Sequence, residues 1–226
     1  MIPFVFFVDL FSEGRRTEPD YLEKFAETYA KNKVKVTRMV CGKSLDRLID
    51  SAIEHSKQQN NQRFANRMIC VVADKDVLTD IDITQAITKV QIYNRSCKKE
   101  HQKIKLYISN PCIELWALSH FMDKSFPNTA KACHAKLKEF LPKYDHDRGM
   151  PLFDIKLMTE DRYQKAKRLA QAWKATADNN PNQFPYTDII DLLEISHDIV
   201  YVNFLGFVSV EMKCYEPSGV VPICKV

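Results

Sequence analysis

The sequence predicts an α/β fold: a largely parallel sheet flanked by helices, with a C-terminal helical extension and a short β tail. Three observations predict it. A wholly apolar run at residues 68–73, a largely apolar run at 4–10 and a strand-like segment at 104–108 suit strands covered on both faces. Segments with apolar residues at helical spacing separate those runs. Each run ends on an acid or a turn former, where the chain has to leave the sheet. Such β-α-β alternation needs crossover helices, and these make the strands parallel.

The first run, residues 4–10, is rich in aromatic and β-branched side chains and reads as a central strand. Ser12, Glu13 and Gly14 form a turn. Thr17 reads as an N-cap before Glu18, Pro19 and Asp20, an acidic first turn with an early proline. Tyr21, Leu22, Phe25 and Tyr29 then fall on one helical face. Val34, Val36, Met39 and Val40 suggest a second strand. Ser44 reads as the cap of a helix with Leu45, Leu48, Ile49, Ala52 and Ile53 on one side.

The third strand, residues 68–73, ends at Asp74-Lys75-Asp76. Residues 83–93 read as helix. The fourth strand, 104–108, ends at Ser109-Asn110-Pro111, and a helix covers 113–121. After Phe126 the alternation stops. Residues 129–141, 160–178 and 187–194 read as helices, 200–210 as a strand or hairpin, and 216–226 as an irregular tail. The expected division is an α/β core over residues 1–126 and an extension over 127–226 packed on it.

Composition narrows the class. At 226 residues, 45% hydrophobic and 27% charged, the chain can bury one sizeable core. A net charge of +4 permits an anionic partner without demanding one. The seven cysteines are widely spaced with no CxxC, which argues against a zinc site and for a reducing compartment; Cys70 and Cys112 read as buried thiols. The apolar N-terminus carries Asp9 and is too short to span a bilayer, so a cytoplasmic protein is expected.

The acids carry the chemistry. Glu13 follows the first strand, Asp74 and Asp76 the third, and Glu114 the fourth. In an open parallel sheet the carboxyl ends of the strands line the ligand crevice, so these acids are expected along one edge. Oxygen ligands of this kind hold a hard cation, Mg²⁺ or Mn²⁺. Such a cation neutralises phosphate charge and activates water, and more than one could be accommodated. Glu13 could serve as ligand or as proton carrier. Glu114 lies in the apolar string Pro111-Cys112-Ile113-Glu114-Leu115-Trp116, where an unpaired charge would be costly. Arg15 and Arg16 are candidates for contacting phosphate. His120 and Asn110 are candidates for supporting the acids, with a core histidine the favoured reading of His120. Lys75 is expected to face solvent. Tyr144 and Tyr163 could stack bases, although core packing is the commoner role.

Two strings resemble a known family. Ser12-Glu13-Gly14-Arg15-Arg16-Thr17-Glu18-Pro19-Asp20-Tyr21 is similar to the EGxxTExxY opening of RloB-like proteins. Ser109-Asn110-Pro111-Cys112-Ile113-Glu114-Leu115-Trp116-Ala117-Leu118-Ser119-His120-Phe121 is similar to that family's SNPcfElWllxHf signature. Asp74-Lys75-Asp76 supplies the Asp-x-Asp between them. The resemblance covers residues 4–195 and fades after Phe126. It implies a TOPRIM-like fold, in which Glu13, Asp74 and Asp76 hold Mg²⁺ and Glu114 joins the catalytic set. It further implies a nuclease effector of restriction-linked or abortive-infection defence, acting on RNA (tRNA among the candidates) or DNA. An ABC-type ATPase is the implied partner, and a homo-oligomer is conceivable. Two other classes stay open. One is a TOPRIM nucleotidyl or phosphoryl transferase, disfavoured by five glycines and no phosphate-cradling loop. The other is a non-catalytic or regulatory partner of the ATPase.

Overall fold

The computed structural model describes residues 5–30, 33–59, 66–146 and 159–194. The strand and tail expected beyond residue 194 lie outside them. Strands β1 (Phe6–Ser12), β2 (Val34–Cys41), β3 (Arg67–Asp74) and β4 (Ile104–Asn110) are parallel, in the order β2-β1-β3-β4. A two-residue β5 (Tyr186–Thr187) closes the edge antiparallel to β4.

The pleat sorts the apolar runs. In β3, Met68, Cys70 and Val72 enter one core cluster, and Ile69, Val71 and Ala73 enter the other. The first cluster lies under α1 (Thr17–Tyr29), α4 (Glu114–Ser119), α5 (Ala130–Phe140) and α6 (Glu160–Thr176). The second lies under α2 (Leu45–Gln58) and α3 (Asp80–Ser96). Helices therefore cover both faces, which is why β3 reads as an unbroken apolar run. Cys70 and Cys112 are buried, as their surroundings in the sequence suggested.

Three local details refine what the sequence predicts. Helix α1 starts at Thr17 with Arg16 at the N-cap, and no side chain caps it. Ser44 is the N-cap of α2 without a side-chain hydrogen bond. Thr187 belongs to β5, where its hydroxyl meets that of Ser109 at 2.9 Å, and the helix begins at Ile189. No helix among the described residues is long and apolar enough to cross a membrane.

The order β2-β1-β3 places a topological switch at the β1/β3 boundary. From β1 the chain moves outward to β2, then returns across β1 to β3. The crossover helices α1 and α2 accordingly leave on opposite faces. The crevice outside the carboxyl ends of β1 and β3 is where ligands bind in such sheets.

Candidate metal centre at the strand ends

Backbone hydrogen bonds set the floor of the crevice. The Glu13 amide donates to the Val72 carbonyl at 3.1 Å, and the Lys75 amide to the Ser109 carbonyl at 2.8 Å. The ends of β1, β3 and β4 are thereby held level. Asp74 follows Met68, Cys70 and Val72 in the alternation toward the α1 and α4 face, and its Oδ1 accepts from the Ile113 amide at 3.0 Å. That bond ties the entry of α4 to the end of β3.

Glu18, in the first turn of α1, joins these acids. It is 2% exposed, and its Oε1 accepts from the Gly14 amide at 3.2 Å. A Cβ at Gly14 would lie 1.8 Å from Glu18 Oε2, so any larger residue there would displace the Glu18 carboxylate from this position. In the sequence Glu18 has the look of an ordinary first-turn acid. Its place in the TExxY string was the available signal.

The acids raise one another's pKa. Burial pushes Glu13 up, the charge of Asp76 adds to it, and the Asp74 amide tempers it. Burial lifts Glu18 to about 7; the Glu114 and Glu13 charges add, and the Glu18 and Gly14 amides oppose. Asp74 is held well above the usual carboxylate range by burial and by the charges of Glu18, Glu114, Asp76 and Glu13. Among the described residues, no lysine or arginine forms an ion pair with Glu13, Glu18, Asp74 or Asp76. Buried carboxylate oxygens of Glu13 and Glu18 (Oε2 in each) have no hydrogen-bond partner. Buried, orphaned oxygens on acids that raise one another's pKa, without a paired lysine or arginine, suit a hard divalent cation. The donor atoms of Glu13, Asp74 and Asp76 do not all lie within 4.8 Å of one another.

Glu114 differs from the other acids. It is fully buried, and burial alone would raise its pKa, but the imidazoles of His134 and His146 and the Tyr144 hydroxyl hold it well below the usual range. His146 Nδ1 lies 3.1 Å from Oε1 and His134 Nε2 3.2 Å from it, and the Tyr144 hydroxyl donates to the same oxygen. The two imidazoles stack at 4.2 Å. No spacing in the sequence links these residues to Glu114.

The remaining candidates separate. Arg15 and Arg16 are exposed at the β1–α1 turn, and Arg15 lies across Gly42 (φ +73°) at the end of β2. Asp76 is exposed and its Oδ1 accepts from the Val77 amide at 2.6 Å. It borders an open cavity of about 390 Å³ shared with Lys75, Asn110, Asn128, Thr129 and Lys131. Asn110 is a clasp instead: its side-chain amide donates to the carbonyls of Pro181, Asn182 and Gln183. His120 stays away from the acids. Its ring packs edge-on against Trp116 at 4.7 Å, Nδ1 contacts the Trp116 carbonyl, and burial lowers its pKa to about 4, as for a neutral core histidine. Lys75 does not point to solvent; Nζ reaches Asp80 Oδ1 at 2.5 Å and the Asn182 carbonyl at 3.1 Å. Tyr144 and Tyr163 are buried, so neither offers a stacking surface.

A family model for RloB-like proteins matches residues 9–195, from β1 through the last described helical turn. The chain belongs to the RloB-like family. No curated protein and no solved structure matches it. Within this RloB-like chain, the matched region contains every acid of the crevice.

Proposed function

We propose that this RloB-like protein is a metal-dependent nuclease that cleaves phosphodiester bonds in RNA or DNA and acts as an effector of anti-phage defence. The observation that carries the reading is the set of uncompensated acids at the β1/β3 switch. Glu13, Asp74 and Asp76 would hold Mg²⁺ or Mn²⁺, the arrangement expected of a TOPRIM-type centre. Bound there, the cation would neutralise phosphate charge and lower the pKa of a bound water. Glu18, whose pKa of about 7 lies near neutrality, is suited to take or return a proton. Glu114, held ionised by its histidine and tyrosine partners, adds fixed negative charge beside Asp74. Arg15 and Arg16 on the exposed turn can reach the flanking phosphates.

The test is incubation of the full chain with tRNA and, separately, plasmid DNA, each with Mn²⁺ or with EDTA. Cleavage is expected only with the cation, and Asp74→Asn should abolish it while circular dichroism is unchanged. An Asp74→Asn variant that cuts as well as the parent overturns the reading. Cation binding without cleavage would favour a regulatory partner of an ABC-type ATPase. Nucleotide incorporation in place of cleavage would favour a transferase.

A further inference from the structure

The second group of donors lies where α5 meets the entry to α4. A Cys112 Sγ, a Glu114 carboxylate oxygen and a His134 imidazole nitrogen all lie within 4.8 Å of one another. Cys112 and Glu114 come from the turn into α4, and His134 from the first half of α5. The His134 Nε2 to Glu114 Oε1 separation is 3.2 Å. In a tetrahedral zinc site, with N and O each roughly 2.0–2.2 Å from the ion, that edge is about 3.4 Å. Very little has to move for both atoms to share one ion.

Two further observations point to a ligand here. Glu114 Oε2 is buried without a hydrogen-bond partner, and His134 Nε2 meets Oε1 as an ion pair without hydrogen-bond geometry. The ion pair between His134 and Glu114 accounts for one carboxylate oxygen and leaves the other unexplained. Cys112, 1% exposed, lies in the core with its thiol against that of Cys133 and is within reach of the same two donors. The donor set discriminates: one sulfur, one nitrogen and one oxygen match borderline ions such as Zn²⁺ or Co²⁺, whereas Mg²⁺ takes oxygen. The absence of CxxC in the sequence does not bear on such a site, because it draws one donor of each kind from two elements.

We propose that Cys112, Glu114 and His134 bind Zn²⁺ or a similar borderline divalent ion, in a site separate in donor chemistry from the all-oxygen set at the β1 and β3 ends. Cys112 binds as thiolate, its proton passing to solvent. Three protein donors leave a fourth position for water. The ion staples α5 to the α4 turn and fixes the orientation of Glu114. The proposal does not depend on the nuclease reading.

The test is a Co²⁺ titration of the reduced full chain, followed by absorption. A thiolate-to-cobalt charge-transfer band is expected, and stoichiometric Zn²⁺ should abolish it while excess Mg²⁺ leaves it intact. Cys112→Ser should lose the band. His134→Ala should weaken Co²⁺ binding by about tenfold or more. Cys133→Ser and Asp74→Asn should keep the band, the first because Cys133 is outside the donor set and the second because the oxygen site is separate. Circular dichroism checks the fold of each variant; if Cys112→Ser fails to fold, Cys112→Ala is read in the same way. A titration without the band overturns the site, as does a band that survives loss of the Cys112 thiol or disappears in Asp74→Asn.

Discussion

Strand β1 and the turn that follows it place two acids, Asp9 and Glu13, in opposite electrostatic settings. Asp9 is 1% exposed in mid-strand, and its Oδ2 meets His55 Nε2 at 2.7 Å and Arg67 Nη1 at 2.9 Å. Its charge is answered within the chain by α2 and by the start of β3. Glu13, at the strand end, has Glu18, Asp74 and Asp76 for neighbours and no cationic side chain paired with any of them among the described residues. A fold that buries an acid for stability supplies its partner, as at Asp9. Acids left together without one at a switch crevice are positioned for a cation from solution.

Breaking each half of this pair should give different results. The largest effect is expected on activity: Asp74→Asn should reduce cation-dependent cleavage about a thousandfold, roughly 4 kcal/mol, at nearly unchanged stability. Asp9→Ala should do the reverse. It leaves Arg67 and His55 facing a buried gap and should cost about 3 kcal/mol in urea unfolding, with cation affinity preserved. A metal-binding defect in the Asp9 variant would erase the distinction.

The pH dependence sharpens it further. Glu18 rises from 4.5 to about 7 on folding, so between those values the folded state holds a proton that the unfolded state has released. Stability contributed below pH 4.5 is therefore lost as pH climbs toward 7, by on the order of 3 kcal/mol without cation. Melting curves from pH 4.5 to 8 should show this decline, and Glu18→Gln should flatten it. Saturating Mn²⁺ at pH 8 should recover most of the loss. The smallest effect belongs to Gly14→Ala. Displacing the Glu18 carboxylate from the Gly14 amide should cost about 1 kcal/mol and weaken Mn²⁺ binding severalfold, measured by calorimetry.

The layered sheet was legible because burial on both faces leaves unbroken apolar runs, as at 68–73. The positions of Glu13 and Asp74 were legible for a related reason: strand ends are marked by where such runs stop. Glu18 was hidden because an acid in a first helical turn is commonplace, and only its burial against Gly14 separates it from Asp20. His134, Tyr144 and His146 reach Glu114 through packing of α5 and the segment after it, which leaves no periodic trace. Strand β5 is too short for any alternation to register. Lys75 was misread because Asp80 and the Asn182 loop, which hold it, come together only in the folded chain.

The most direct measurement is calorimetric titration of the metal-free protein with Mn²⁺ at constant ionic strength, beside Asp74→Asn and Asp9→Asn. Saturable binding to the parent and to Asp9→Asn, lost in Asp74→Asn, is the expected result. Heats no larger than ionic strength accounts for, or equal binding in all three proteins, would contradict the account.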